Sequence, residues 1–211
     1  MILGGSSNGT SNGITFSNES LCVSGQCGSF NGISSYIDCG NADNLKERTN
    51  LTISSWFKVA GATGTPRILS NRLSSDGYEI VIDNAAGTVV WISNNVNLLS
   101  QDIDADDKKW HNIVFTFDVG LLKLYKDGNY MIQANNIIIN EITNKTYIGQ
   151  SYGTVNRFFE GLIDDIKIYN AALSSSQIKQ NYIAGLNSLI GKGLILEAEF
   201  KEKVADLSSN K

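Results

Sequence analysis

The sequence predicts an all-β protein, a two-sheet antiparallel β-sandwich carrying a C-terminal helical appendage. Three observations point there. Between Phe30 and Tyr169, short apolar runs alternate with Gly, Asn and Asp turns about every ten residues, the rhythm of a sandwich or barrel. Within 110–118, Ile113, Phe115 and Phe117 fall on one strand face while Asn112, Val114 and Thr116 fall on the other. After Leu173 the apolar period lengthens from two residues to that of a helix.

The elements follow in order. Residues 1–28 are polar and turn-rich, with one irregular strand expected around Ile14–Phe16. Candidate strands are 29–39, 50–59, 67–71, 77–83, 87–93, 97–103, 110–118, 121–126, 129–135, 145–150 and 157–169. Asp127-Gly128, between LKLYK and NYMIQ, is the strongest hairpin signal, because a type I′ turn needs positive φ at both central residues. Ser174 and Gln177 form an S-x-x-Q capping box, with Leu173 and Ile178 as the hydrophobic staple. Ile178, Tyr182 and Leu186 then make one helix stripe. Gly191-Lys192-Gly193 breaks it, and Leu196, Phe200, Val204 and Leu207 make a second, so a helical hairpin is expected. The organisation read from this is an irregular coil over 1–28, a sandwich over 29–183 and a helical tail over 184–211.

Composition narrows the function. The 211 residues are 42% hydrophobic, enough for a real core, yet only 18% are charged, so the surface is rich in Asn, Ser and Thr. Net charge is −4 without a basic run, which argues against nucleic acid, whose phosphates need a neutralising patch. No apolar run approaches the ~20 residues of a membrane span. The start has neither a basic segment nor a long apolar core and lies in Gly/Ser/Asn-rich coil, so an excised piece of an exported chain is expected. Of three cysteines, Cys22 and Cys27 bracket VSGQ, a loop short enough to close as a disulfide, which fits export. Cys39 reads as a small buried hydrophobe.

Specific residues carry a family resemblance. Trp110-His111-Asn112 followed by Tyr125-Lys126-Asp127-Gly128, and GLIDDIKIYNAALSSSQI over 161–178, resemble the laminin-G-like, concanavalin-A-like jelly-roll family. Its opening "s-F-d-G-x-d-d-Y-v" looks like 29–37 and its "t-i-s-a-W-v-k" strand looks like 52–58, so the resemblance covers about 29–183. It implies a jelly roll and says less about activity, because one fold hosts many. The tail is similar to those following such domains in pilin-like or pseudopilin-like surface proteins of uncultivated bacteria.

Candidate sites follow. In calcium-binding relatives an Asp at the position of Asp164 grips a structural Ca²⁺, so the resemblance implies a Ca²⁺ site of Asp164 completed by backbone carbonyls around Ser29 to Asn31, hard oxygen ligands suiting that ion, with Asn31 standing where the family often has Asp. The alternative is that Asp164 bonds backbone amides while Asp165 is solvated. Trp91, beside Asn94 and Asn95, is a candidate for stacking on a sugar ring, and Tyr152 in the loop QSYGTVNRF is another; core packing is the competing reading for Trp91. Asp102, Asp104, Asp106 and Asp107 read as a solvated turn, not an EF-hand, which would need Gly sixth and Glu twelfth. His111, the single histidine, reads as structural and without a partner for base chemistry. Glu79 and Asp83 share a strand face about 13 Å apart, too far for a retaining glycosidase pair at about 5–5.5 Å, and read as solvent-facing.

The function expected is therefore a non-enzymatic extracellular binding or adhesion module for a glycan or other cell-surface ligand. A surface-filament head domain, self-associating through the C-terminal helices, is the alternative. A glycoside hydrolase or lyase is disfavoured by the missing carboxylate set.

Overall fold

In a computed structural model, residues 9–61, 64–83, 87–94, 96–151 and 157–192 are described. Fourteen strands and one α-helix are built from them, with short 3-10 turns at Glu19–Leu21 and Asp43–Leu45. The strands are β1 Thr10–Asn12, β2 Thr15–Phe16, β3 Gly28–Asn31, β4 Tyr36–Asp38, β5 Asn50–Val59, β6 Arg67–Ser70 and β7 Tyr78–Asp83. They continue as β8 Thr88–Ser93, β9 Val96–Asp102, β10 His111–Asp118, β11 Leu121–Lys126, β12 Asn129–Ala134, β13 Tyr147–Ile148 and β14 Glu160–Tyr169. The helix, α1, spans Ser175–Gly191.

Two seven-stranded antiparallel sheets face each other. The first has the order β1-β4-β13-β6-β7-β8-β9 and the second β12-β11-β10-β5-β14-β3-β2. The core is the alternation of both inner faces, as in any stacked pair of sheets. Ile80 pairs with Trp91 and Trp91 with Leu99 in the first sheet. Across the core, Trp91 meets Phe115 of β10 with ring centroids 5.1 Å apart.

Two strand expectations change. The run 29–39 is two strands in different sheets, because Asn31 turns the chain: its Oδ1 accepts the backbone N–H of Ile33 and Ser34 at 2.9 Å and of Ser35 at 3.1 Å. A side chain that satisfies three consecutive turn amides competes with ladder pairing. The start of the chain also contributes more than coil, since β1 pairs with β4 and β2 with β3. The Asp127-Gly128 hairpin forms as expected, with φ of 50° and 73°.

Helix α1 opens with the capping box: Gln177 N–H donates to Ser174 Oγ and Ser174 N–H to Gln177 Oε1. It lies on the outer face of the second sheet. Ile178 and Leu173 pack on Val114 and Tyr125, Tyr182 stacks on Trp56, and Leu189 meets Trp56 and Val23. This cover explains why β5 is buried along both faces. The boundary expected between 183 and 184 falls inside this one continuous helix, and the second stripe, Leu196 to Leu207, lies outside the described residues.

Candidate functional site

Strand register sets a polar rung across the outer face of the first sheet. Asp38 stands opposite Tyr147, Tyr147 opposite Ser70, Ser70 opposite Glu79, and Glu79 opposite Ile92. The alternation that sends Tyr78, Ile80 and Ile82 into the core sends Glu79 outward. Yet Glu79 is 0% exposed. Other chain covers it, including Ser151, whose Oγ donates to Glu79 Oε1 at 2.6 Å.

A buried carboxylate needs compensating charge or donors. Glu79 Oε2 accepts from Arg67 Nη2 and Arg72 Nε, each at 3.1 Å, and Oε1 also accepts from Ser70 Oγ at 2.9 Å. Burial pushes the Glu79 carboxyl up, but the Arg67 charge and the hydrogen bonds from Ser151 and Arg67 outweigh it and hold it below its usual range. With both oxygens filled, Glu79 is neither a proton donor nor a nucleophile. It is an anchor. Its expected solvent exposure is thereby corrected, for a reason local sequence cannot carry, namely that distant chain lies over this face.

On the same face, Tyr36, which pairs with Asn12 one step along β4 from the rung, meets Tyr147 edge-on with centroids 5.7 Å apart, and both stay half-buried. Asp38 Oδ2 accepts from Lys145 Nζ at 2.7 Å beside them. Half-exposed rings flanked by charged hydrogen-bonding groups can take the apolar face of a sugar and its hydroxyls together.

The expected aromatic platform is different. Trp91 is 0% exposed and stacks on Tyr78 at 4.7 Å within the core, so its indole offers no face to a ligand. Register decides this, because Trp91 shares the inward phase of Ile80 and Leu99. Asn94 holds a turn at φ 52° and donates from Nδ2 to Ile138 O at 2.9 Å. Asn95 and Tyr152 lie outside the described residues.

The implied calcium shell does not assemble. Asp164 is 5% exposed and spends its oxygens on backbone amides: Oδ2 accepts from Ser24 N–H at 2.8 Å and Oδ1 from Asp165 N–H at 2.7 Å. Burial raises the Asp164 carboxyl above its usual range despite these bonds. Asn31 pairs with Glu160 and Ser29 with Leu162, up the ladder from Asp164, and the Asn31 oxygen already serves three amides. These residues do not fit a Ca²⁺ site. A β-bulge at Asp165, φ 46°, turns Asp164 outward while Ile163 and Ile166 both face the core. Asp165 is not simply solvated, since Lys167 Nζ bonds it at 2.6 Å.

What lies over Asp164 is the Cys22–Cys27 disulfide loop, which closes as expected. It ties down the helix: Ser188 Oγ donates to Val23 O and Lys192 Nζ to Cys22 O. Among the described residues, one group of three potential metal-ligating side chains occurs, Cys22, Cys27 and Asp164, and its sulfurs are bonded to each other. Cys39 is a buried free thiol, pushed up to about 12 by burial.

His111, expected to lack partners, has two. Its Nδ1 lies 3.2 Å from Asp127 Oδ2 and its Nε2 lies 3.0 Å from Asp107 Oδ1. Two carboxylates need two N–H donors, so the imidazolium is the matching form. Burial pulls the His111 pKa down, but Asp127 and Asp107 more than offset it and hold it above 6.5.

The family described as the concanavalin A-like lectin/glucanases superfamily matches residues 31–179. No curated protein matches by sequence. Among solved structures, the binding domain of Paraclostridial Mosquitocidal Protein 1 is similar with a TM-score of 0.69 and 16% identity, over 85% of this chain and 48% of that one. The botulinum neurotoxin serotype D ligand binding domain, in complex with N-acetylneuraminic acid, gives 0.62 and 17% over 84% of this chain and 46% of that one. Domain 4 of AbnA, a GH43 extracellular arabinanase from Geobacillus stearothermophilus, in complex with arabinotriose, gives 0.61 and 21% over 80% and 81%. The chain thus spans about half the length of the toxin domains and most of the arabinanase domain.

Proposed function

Because the chain belongs to the concanavalin A-like lectin/glucanase superfamily, we propose that it is a non-catalytic, extracellular glycan-binding module. The observation that carries the reading is the edge-on pair of Tyr36 and Tyr147 beside the Asp38–Lys145 ion pair. The rings supply an apolar platform, and the ion pair supplies a donor and an acceptor for hydroxyls. Behind them the Glu79 cluster fixes the sheet without offering chemistry. Related folds in complex with arabinotriose and with N-acetylneuraminic acid support a sugar as the ligand class. The Cys22–Cys27 bridge supports an oxidising compartment. No helix among the described residues is long and apolar enough to cross a membrane.

A glycan array tests the reading. Retention of a defined glycan set is expected, weakened in Tyr36→Ala and Tyr147→Ala at unchanged melting temperature. Failure to retain any glycan would overturn it. Turnover of arabinan or β-glucan by the purified chain would overturn its non-catalytic part.

A further inference from the structure

A cavity of about 280 Å³ lies on the opposite face of the molecule, between the first turn of α1 and the outer face of β10 and β11. Thr116, Asp118, Lys123, Tyr125, Ser174 and Ser175 line it. Its size sits near the lower end of small-ligand pockets, roughly 300–1,000 Å³, and suits a single sugar ring. The groups around it are incompletely used.

Thr116 carries most weight. Register aligns Thr52, Thr116 and Lys123 in one row. The Thr52 hydroxyl is fully engaged, donating to Ala171 O at 2.7 Å and accepting from Leu173 N–H at 2.9 Å. The Thr116 side chain, only 4% exposed, has no hydrogen bond among the described residues. Its oxygen keeps contact with solvent through the cavity, so a ligand there can reach it. Lys123, half-buried, likewise has no carboxylate partner among the described residues. The capping box satisfies the amides of Ser174 and Gln177, leaving those of Ser175 and Ser176, also unpaired among the described residues, at the positive end of a 17-residue helix. Tyr125 Oη and Ser175 Oγ, 3.1 Å apart, fix the cavity wall.

We propose that this cavity is a carbohydrate subsite selective for a sugar that bears a carboxylate. The carboxylate pairs with Lys123, the Thr116 hydroxyl and the free first-turn amides. Asp118, exposed in the same lining, accepts from ring hydroxyls. That acid also explains why a sugar acid fits better than a bare anion, which would meet the Asp118 charge with no hydroxyl to offer it. The subsite rests on the reading of the chain as a glycan-binding module and adds a ligand class to it.

The full chain is titrated with glucuronate, glucose and acetate by calorimetry or ligand-observed NMR. Glucuronate is expected to bind about tenfold tighter than either control. Lys123→Met is expected to remove about that factor. Thr116→Val is expected to weaken glucuronate while leaving the melting temperature unchanged or raised, since it deletes an unpaired hydroxyl and keeps its shape. Equal binding of acetate and glucuronate, equal binding of glucose and glucuronate, no glucuronate binding, or variants that bind as the parent does would each overturn the subsite. A lower melting temperature in Thr116→Val would do the same by showing a structural hydroxyl. If the parent retains neutral glycans on the array but ignores glucuronate, the subsite fails and the tyrosine platform stands. If it retains no glycan and ignores glucuronate, both fail.

Discussion

Gly185 and Trp56 are in direct contact: a β-carbon on Gly185 would stand 2.7 Å from Cζ2 of the indole. Helix α1 is seated on the second sheet at this point, and Tyr182 stacks on the same ring with planes 13° apart. Replacing Gly185 by Ala favours the isolated helix by about 1 kcal/mol. Overpacking against a buried, stacked ring costs roughly 1–3 kcal/mol. We expect Gly185→Ala to lose about 1 kcal/mol net in urea denaturation. A gain in stability would show that the helix is not seated on Trp56.

His111 makes stability depend on pH. Its folded pKa lies above the unfolded value of 6.5, so its contribution is fully present below that pH and is lost as pH rises through the folded value. The groups facing it are Asp107, Asp127 and the ring of Phe57. The melting temperature is expected to decline as pH rises above 6.5, and His111→Asn is expected to flatten that decline. An unchanged slope in the variant would remove the imidazolium from the account.

Arg67 holds the Glu79 anchor. Arg67→Met leaves a fully buried carboxylate with Arg72 as its remaining cation partner among the described residues, and removing one member of a buried pair costs roughly 3–5 kcal/mol. We expect a loss in that range, partly recovered in the double variant R67M/E79L, where the orphaned charge is gone. A loss below about 1 kcal/mol, the worth of an exposed pair, would mean the cluster is solvated.

Trp91→Ala tests whether that indole belongs to the core or to a ligand. Truncating a fully buried tryptophan costs about 3–5 kcal/mol. A loss of that size is expected, with glycan retention per folded molecule unchanged. Loss of retention without loss of stability would restore the ligand-facing reading.

Local pairings were legible in the sequence. Asp127-Gly128 names its own turn, and Ser174 with Gln177 names its own cap, because both are decided by atoms within four residues. The alternation of Ile113, Phe115 and Phe117 placed β10 correctly for the same reason. Trp91 was harder. Its neighbours Val89 and Val90 are both buried, so local polarity gives no phase, and only its pairing with Ile80 and Leu99 points it inward. The Asp107–His111–Asp127 clasp escaped because Asp127 reaches His111 through a hairpin register and not along the chain.

The sequence by itself determined the two-sheet sandwich, its strand-to-helix closure and the short disulfide loop, since periodicity, turn chemistry and close spacing act over a few residues. Only the tertiary structure decided which outward-facing groups become functional. Glu79 and Thr116 both point away from the core, yet one is an anchor held by Arg67, Arg72 and Ser70 nearby and sealed by Ser151 from far along the chain, and the other a hydroxyl left open toward a cavity. The physical reason is coverage: a strand's alternation fixes which face a side chain takes, but what lies over that face comes from chain far away in sequence.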